Sequence, residues 1–216
     1  MSKTNTAGFS DAQATWNRRF GEEGFLFGTQ PNAWLKEQGG PWARGSRILC
    51  VADGEGRNSV WLAQQGHKVD AFDLSPVGVT KARALAKQAE VPVNYAVADC
   101  DALVWPQACY DGVAAIFVQF ADPAMRQRLF ANMLRCLKPG GLLILQGYTP
   151  RQLDYKTGGP SILSHLYTPE LLRDAFKSLE IVEFREYEAQ LTEGMGHHGQ
   201  SALIGMVGRV PFAHKA

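Results

Sequence analysis

The feature that most constrains the fold of this chain is a regular alternation of short apolar runs with amphipathic stretches, which begins at Arg47. The apolar runs are nearly continuous in hydrophobicity, as expected of strands that are buried on both faces. Strands that alternate with helices along the chain indicate a parallel sheet with helices on both sides. We therefore predict an α/β fold with a Rossmann-like, doubly wound sheet.

Cap and turn residues set the bounds of the predicted elements. Ser75-Pro76 and Asp122-Pro123 each place an N-cap residue before a first-turn proline, and Lys138-Pro139-Gly140-Gly141 ends the second of these helices. The predicted strands are 48–52, 68–72, 93–97, 112–118, 142–145, 181–191 and 201–210, and the predicted helices are 58–65, 76–89, 122–137 and one from Thr168. The short turn 194–200 forces the last two strands to pair antiparallel. The prediction is a mostly parallel seven-stranded sheet closed by a C-terminal hairpin.

Length and composition favour a single domain. The chain has 216 residues, 45% of them apolar, and a single core usually divides only beyond about 250 residues. We predict one domain over 1–216, with a core over 47–216. Residues 1–46, where Trp and Phe are spread among Gly and Pro, are predicted to form a lid or cover.

Charge and cysteine usage exclude several classes of protein. Lys and Arg number 22 against 21 Asp and Glu, which is not the basic balance of a nucleic-acid binder. The polar start argues against a secretory signal, and no apolar run approaches the ~20 residues of a membrane span. The four cysteines form no C-x-x-C pair, so neither a metal site nor a disulfide framework is predicted. We expect a cytoplasmic protein that acts on a small molecule, without a nucleic-acid or membrane partner and with no prediction of oligomeric state.

Three polar features fall at the carboxyl ends of successive predicted strands. The turn Asp53-Gly54-Glu55-Gly56 follows the first strand, Asp73 ends the second, and Asp99 ends the third. Glycines let a ligand approach the backbone, and the helix N-terminus after the turn offers amides to it. An acid after the second strand can accept hydrogen bonds from ribose hydroxyls. Each feature alone also fits a tight turn or a loop acid, but together they predict a site for an adenosine-containing ligand.

Several short motifs give the chain a family resemblance. The motifs are Trp16-Asn17-Arg18-Arg19-Phe20, Phe27-Gly28-Thr29-Gln30-Pro31-Asn32, Gly54-Glu55-Gly56-Arg57-Asn58, Asp73-Leu74-Ser75, Ala98-Asp99, Leu137-Lys138-Pro139-Gly140-Gly141 and Glu193-Gly194-Met195-Gly196-His197-His198-Gly199. With them the chain resembles the class I S-adenosylmethionine-dependent methyltransferases, and within these the branch of tellurite-resistance and thiopurine methyltransferases. The resemblance implies S-adenosylmethionine as the cofactor and methyl transfer as the reaction.

On the adenosine side, the resemblance implies a role for each strand-end residue. Asp73 would bind the ribose, and Leu74 would pack on the adenine. Asp99 and Cys100 would frame the edge of the adenine. Phe117 or Val118, predicted to close the fourth strand, would line the pocket near the sulfonium.

On the methionine side, the resemblance implies that Gly54 and Gly56 cradle the donor. The chain departs from the family pattern just before them, where Cys50 and Ala52 stand in place of an acid and an additional glycine. Asp53 is the acid that could replace the missing one beside the methionine ammonium group.

The acceptor side is less constrained. A sulfonium donor is already activated, so the protein mainly aligns the nucleophile and shields the site. A neutral acceptor also needs a base, and His197 and His198 are candidates because imidazole titrates near neutral pH. They could equally be ordinary polar turn residues. A small acceptor such as a thiol or a metalloid oxyanion is expected, with His197 as the candidate catalytic residue.

Two other functions stay open at this stage. An NAD(P)-dependent oxidoreductase also needs a glycine turn and a strand-end acid, but its fingerprint places glycine or alanine where this chain has Ser59. A regulator that binds S-adenosylmethionine without transferring its methyl group is the second alternative. Methylation of a nucleic-acid base is disfavoured by the net charge and by Phe117-Val118-Gln119-Phe120, which lacks the polar residue and two prolines usual in such enzymes.

Overall fold

The computed structural model describes residues 7–212, with side chains described from residue 12. The strands are β1 Arg47–Val51, β2 Lys68–Asp73, β3 Val93–Val97, β4 Tyr110–Ile116, β5 Leu137–Tyr148, β6 Glu180–Glu193 and β7 His197–Arg209. The helices are α1 Ala7–Phe20, α2 Ala33–Gln38, α3 Arg57–Gln64, α4 Pro76–Gln88, α5 Pro123–Cys136, α6 Gln152–Tyr155 and α7 Pro169–Ala175.

All seven strands form one sheet in the order β3-β2-β1-β4-β5-β7-β6. The first five strands are parallel, and β7 runs antiparallel to both β5 and β6. The strand order reverses between β1 and β4, where Leu49 is paired with Asp70 on one side and Val113 on the other. The predicted fold class is confirmed. In a sheet of this kind, ligands bind beyond the carboxyl ends of the strands at this reversal.

The sheet is covered by an apolar layer on each face. On one face, α5 and α7 bury Leu129, Met133 and Leu172. On the other face, α2, α3 and α4 bury residues such as Trp34 and Leu62. Both faces of the central parallel strands β1, β4 and β5 are therefore buried, which explains their nearly unbroken hydrophobicity.

The predicted helix caps form as expected. The side chain of Ser75 accepts a hydrogen bond from the Gly78 amide at 3.1 Å, and that of Asp122 accepts one from the Met125 amide at 2.8 Å. These bonds satisfy amides that a helix leaves unpaired in its first turn. The short helix α2 is capped in the same way by Asn32, a cap that the sequence analysis did not predict.

The Pro-Gly-Gly segment after α5 was predicted as a break between helix and strand, and this is wrong. Helix α5 ends at Cys136 and β5 begins at the next residue. Tyr110 pairs with Leu137 whereas Gly112 pairs with Leu142, so residues 138–141 form a bulge within the strand. Glycine with a positive φ is common in bulges of this kind, and Gly140 has a φ of +78°.

The terminal hairpin has a shorter turn than predicted. Strand β6 continues to Glu193, and the turn contains only residues 194–196. His197 and His198 are therefore strand residues, paired with Glu193 and Thr192. The prediction that they belong to the turn 194–200 is wrong, because the antiparallel pairing extends to the tip of the hairpin.

The N-terminal region consists of α1 and α2 joined by an irregular segment. Residues 1–6 of the predicted cover lie outside the described residues. Within 7–212, no helix is long and apolar enough to cross a membrane.

Ala52, one of the two residues that depart from the family pattern, has a strained backbone. It directly follows β1 with a φ of +49°, a left-handed conformation that suits glycine better than alanine. We expect Ala52→Gly to raise the free energy of unfolding by about 1 kcal/mol, because strain relief exceeds the added entropy of the unfolded chain. Thermal melting should show a Tm increase of roughly 2–4 °C.

The matched control is Ala63→Gly, inside α3, where the same change should destabilise by about 1 kcal/mol. Equal destabilisation by both substitutions would contradict the assignment of strain to Ala52.

Candidate functional site

The glycine turn and the acid that ends β2 are in direct contact. Oδ2 of Asp73 accepts a hydrogen bond from the Gly54 amide at 2.9 Å, and Oδ1 accepts one from the Ser75 amide at 2.8 Å. Burial raises the pKa of Asp73, and these amide bonds oppose the increase. A carboxylate has about four lone-pair positions. The Leu74 amide also contributes to lowering the pKa of Asp73, so at least one position stays available for a hydroxyl donor.

Beside Asp73, at the ends of β2 and β3, lies an open cleft of about 520 Å³. Its walls are mostly apolar, and they comprise Gln13, Leu74, Val97, Ala98, Asp99, Ala102, Leu103 and Val104. The side chain of Gln13, on α1, donates to the Leu74 carbonyl at 3.0 Å and so ties the N-terminal helix to this wall. Leu74 and Asp99, both predicted at the adenine, line the same cleft.

Cys100 lies at the same strand end but faces another way. Its side chain is buried in the apolar core of the sheet, and burial raises the pKa of its thiol. Its carbonyl accepts a hydrogen bond from the indole N–H of Trp105 at 2.9 Å. The side chain therefore does not line the cleft with Leu74 and Asp99.

The two glycines of the turn are needed for different reasons. Both have positive φ, +61° at Gly54 and +92° at Gly56. A Cβ on Gly56 would lie 2.7 Å from the Cβ of Ala82, so this glycine lets the turn pack on α4. A Cβ on Gly54 would lie 3.2 Å from the ring of Phe20. Helix α1 therefore covers the turn at Gly54.

Asp53 belongs to a buried chain of polar side chains. Its carboxylate accepts hydrogen bonds from the amide and the hydroxyl of Ser59, and the same hydroxyl lies 2.8 Å from the hydroxyl of Tyr95. Burial raises the pKa of Asp53 to about 7, against the lowering effect of Ser59 and with support from the nearby charge of Asp73. Asp53 is thus a carboxyl group that gains or loses its charge near neutral pH.

Aromatic rings enclose the other half of the site, beyond β4 and β5. We call Phe27, Phe117, Tyr148 and His197 the aromatic box. The imidazole centroid of His197 lies 4.2 Å from Phe117, 4.4 Å from Phe27 and 5.7 Å from Tyr148. Phe117 stacks on Tyr148 and has a φ of +56°, because it turns the chain directly after β4 ends at Ile116. The box lies at the carboxyl edge of the parallel strands, as the open cleft beside Asp73 does.

His197 is a buried member of this box, and His198 is exposed. The side chain of His197 is 6% exposed. Burial lowers its pKa, and the charges of Arg57 and Arg19 lower it further against the opposing effect of Glu193. The imidazole is therefore neutral at neutral pH. Of the two adjacent histidines, the structure places only His197 among the aromatic rings of the site.

Glu193 is the charged residue at the centre of this region, and it was not among the predicted site residues. Its carboxylate pairs with the Arg57 guanidinium at 2.8 Å and accepts hydrogen bonds from the Asn32 side chain at 3.0 Å and the Ala33 amide at 3.1 Å. Burial alone raises the pKa of Glu193, but His197, Arg57 and the Ala33 amide outweigh it and lower the value to about 2. Glu193 is ionised at any physiological pH.

Residues 25–33, which we call the cover segment, cross from the glycine turn to the aromatic box. The Leu26 amide donates to the Glu55 carboxylate at 2.7 Å, and the Leu26 carbonyl accepts from the Gly196 amide at 2.9 Å. Arg57 also donates to the Phe27 carbonyl at 3.2 Å. The cover segment is therefore bonded to the glycine turn, to α3 and to the tip of the hairpin. A cover from the N-terminal region was expected, but these partners were not.

The contacts that the sequence analysis missed join residues that are far apart in the sequence. Glu193 lies 160 positions from Ala33, and Gln146 lies 114 positions from Asn32, whose side chain donates to it. Glu193 and His197 did stand in one quoted motif, Glu193-Gly194-Met195-Gly196-His197. That proximity was the one local signal for their contact.

Part of the chain is similar in sequence to known methyltransferases. Residues 48–141 match the family described as "Methyltransferase domain". The C-methyltransferase UbiE of Geobacter sulfurreducens is 29% identical over 121 residues, which cover 53% of this chain and 47% of UbiE. The chain spans 38% to 49% of the length of such curated relatives.

Solved structures extend the likeness to the whole fold. The N-methyltransferase NodS of Bradyrhizobium japonicum, in complex with S-adenosylhomocysteine, has a TM-score of 0.70 at 15% identity, covering 93% of this chain and 98% of NodS. TehB of Haemophilus influenzae has a TM-score of 0.68 at 17% identity, covering 82% of this chain and 62% of TehB. The predicted reaction class and methyl donor agree with these findings, whereas the tellurite and thiopurine branch is not distinguished from others. Residues 48–141 are thus similar to a methyltransferase domain, and residues 7–212 share their fold with S-adenosylmethionine-dependent methyltransferases of known structure.

Proposed function

We propose that the protein transfers the methyl group of S-adenosylmethionine to a small-molecule acceptor such as a thiol or a metalloid oxyanion. The observation that carries the proposal is the division of one sheet edge into two halves. An open cleft with a strand-end acid lies beside β2 and β3, and an enclosed aromatic box lies beyond β4 and β5. A donor with an adenosine at one end and a reactive sulfonium at the other fits such an arrangement.

The donor residues are proposed as follows. Asp73 binds the ribose, Leu74 packs on the adenine, and Asp99 accepts from the adenine amine. Gly54 and Gly56 shape the turn beside the methionine part. Asp53 lies beside its ammonium group. The backbone of Cys100 completes the adenine edge.

In the acceptor half, Phe117 lines the space near the sulfonium and His197 is the base. When bound, the donor supplies an activated methyl group. The chain's own part is to exclude water, orient the acceptor and take up its proton. Enclosure by the cover segment supports transfer to a small acceptor, because a large one would have to displace it.

Two alternatives are less well supported. In an oxidoreductase fingerprint, the position of Ser59 serves close helix packing, whereas here its hydroxyl bonds to Asp53 and Tyr95. A regulator that only binds the donor has no use for a buried, neutral imidazole beside the aromatic rings. Turnover of the donor with a panel of acceptors, measured as S-adenosylhomocysteine released, separates a regulator from an enzyme.

Donor binding is the first test. Calorimetry should show one site per chain for S-adenosylmethionine and for S-adenosylhomocysteine, and no heat with NAD(H) or NADP(H). Asp73→Ala should weaken binding about ten- to a hundredfold, because a hydrogen bond to a charged group contributes roughly 1.5–3 kcal/mol. Asp70→Ala, on the same strand, is the control and should bind as wild type. Binding of a nicotinamide cofactor alone would overturn the proposed function.

The pKa of Asp53 predicts a pH-dependent stability. The folded-state pKa of about 7 lies above the ordinary value of about 3.9. The folded chain therefore holds a proton that the unfolded chain loses, and its stability falls as pH rises through this interval. Asp53→Asn removes the penalty, so denaturant unfolding should show a more stable variant at pH 8 and little difference at pH 4. Donor affinity should fall if Asp53 faces the ammonium group.

Asp101→Asn is the control of opposite sign. A hydrogen bond from Arg128 lowers the pKa of Asp101, so this carboxylate stabilises the fold at high pH and that variant should lose stability at pH 8. An Asp53→Asn variant that is less stable than wild type at pH 8 would contradict the assigned environment.

His197 is tested with an acceptor that turns over. His197→Gln should lower kcat about a hundredfold or more, while the donor Kd stays within twofold. The wild-type rate should rise with pH through a pKa below 6.5 and be level at neutral pH, because the base must be unprotonated. His198→Gln is the matched control at the adjacent, exposed position. Full activity of His197→Gln would leave an enzyme that works by alignment alone.

A further inference from the structure

Glu193 and His197 face each other across the tip of the hairpin. Strand pairing places them directly opposite, and Oε2 of Glu193 lies 3.7 Å from Nδ1 of His197. Nδ1 is enclosed and has no hydrogen-bond partner among the described residues. A distance of 3.7 Å is too long for a hydrogen bond. A shift of less than 1 Å would make one, and hydrogen bonds of active sites often tighten when the ligands bind.

The charge of Glu193 determines which imidazole nitrogen carries the proton. An ionised carboxylate only accepts hydrogen bonds. A lone pair on Nδ1 would point at a negative oxygen and be repelled, whereas an N–H at Nδ1 is attracted. Neutral His197 therefore carries its proton on Nδ1, which leaves the lone pair on Nε2.

The ring is also held in place from its faces. Phe27 and Phe117 lie within 4.5 Å of the imidazole centroid, at tilts of 37° and 60°. Rotation of the imidazole about χ2 would have to displace these rings and Tyr148. The orientation of Nε2 is thus fixed by packing, and the tautomer by the carboxylate.

Other charged and titratable groups face His197 from each neighbouring element. They are Arg57 on α3, Arg19 on α1, Tyr148 on β5 and Glu193 on β6. Arg57 and Arg19 can only donate, so they cannot accept a proton from Nδ1. The hydroxyl of Tyr148 is buried without a partner among residues 7–212. Glu193 is therefore the one negative group that the described residues bring to this imidazole.

We infer that Glu193 is the positioning residue for His197, holding the imidazole as the Nδ1–H tautomer with the Nε2 lone pair presented to the acceptor. The inference rests on the proposed function and adds a second residue to it. When the acceptor's lone pair forms its bond to the methyl carbon, the sulfur–methyl bond of the donor would break and leave its electron pair on sulfur. The acceptor's O–H, S–H or N–H bond breaks as well, and its proton forms an N–H bond at Nε2. The imidazolium so formed is stabilised by the Glu193 carboxylate, and it returns its proton to solvent after the product leaves.

The same carboxylate holds the cover segment through Asn32 and Ala33. The position of the cover segment and the orientation of the imidazole therefore depend on the same carboxylate, which is also paired with Arg57.

Long-range ¹H–¹⁵N NMR of the full-length, ¹⁵N-labelled protein tests the tautomer without any turnover. We expect His197, assigned by the loss of its signals in His197→Gln, to have a protonated Nδ1 and an unprotonated Nε2 at pH 7.5. His198 is the internal reference, because it is adjacent and exposed. A protonated Nε2 at His197 in the wild-type protein would overturn the inference.

Glu193→Gln tests the role in turnover. The amide oxygen can still accept from Asn32 and Ala33, but the negative charge at Nδ1 is gone. We expect a mixed tautomer at His197 and a kcat at least tenfold lower with an active acceptor, while the donor Kd stays within twofold. Glu188→Gln is the control on the same strand, where the carboxylate is exposed and pairs with Arg151. Both readouts should be unchanged in that variant.

A merely structural role of Glu193 predicts a different result. Glu193→Gln unfolds more easily in either case, because the buried charge of Arg57 is left uncompensated. With a merely structural role, however, the wild-type tautomer would not favour Nδ1–H and kcat of the folded fraction would be unchanged. That pattern would overturn the inference. If Glu193→Gln does not fold, the wild-type tautomer decides alone. Failure of S-adenosylmethionine to bind the wild type would overturn the proposed function, and the tautomer would still decide the relation between Glu193 and His197.

Discussion

The position of the cover segment over the aromatic box depends on the buried ion pair between Arg57 and Glu193. Both side chains are 10% exposed or less. Removing one partner of such a pair costs about 3–5 kcal/mol, because the other charge stays buried and uncompensated. This pair connects the start of α3 with the end of β6, and the hydrogen bonds of Asn32 and Ala33 connect the cover segment to the same point. Three parts of the chain that are remote in sequence are joined there.

The polar cluster of Arg57, Glu193 and Asn32 beside the aromatic box has a geometric role. A buried ion pair contributes little net stability when compared with apolar residues of the same volume. Its value here is geometric, since a carboxylate with several fixed donors has one position only. Asn32 serves the same purpose, because its side chain bonds Gln146 and Glu193 and also caps α2. The cover segment therefore closes in one defined register against the sheet.

How much of this the sequence predicts differs between the two halves of the site. The donor half depends on residues just after β1, β2 and β3, and the order of strands in a parallel sheet brings those ends together. Asp73 and Gly54 could thus be predicted as neighbours from local patterns, and they are hydrogen bonded. The bounds of most strands were predicted within one or two residues for the same reason.

The acceptor half could not be predicted in this way. Its contacts join the cover segment to the hairpin across about 160 positions, and no local period reports such pairs. The turn of the hairpin was also predicted too long, because glycines at 194, 196 and 199 are typical of a turn. In the structure, these glycines allow neighbouring segments to pack closely against the hairpin. A Cβ on Gly194 would lie 2.4 Å from the Leu26 carbonyl oxygen, and one on Gly196 would lie 2.4 Å from the ring of Phe27. Glycine there makes room for the cover segment.

The two halves therefore differ in how freely they can change. Asp73 and Gly54 hold one another and the ends of β1 and β2, so a change at either disturbs the centre of the sheet. The acceptor half is built at the periphery, from the cover segment, the residue after β4 and the tip of the hairpin. Substitutions in these parts can reshape the aromatic box while the first three strands keep their geometry. On the proposed assignment, acceptor specificity can diverge on a constant donor site, so fold similarity at 15–17% identity does not identify the acceptor.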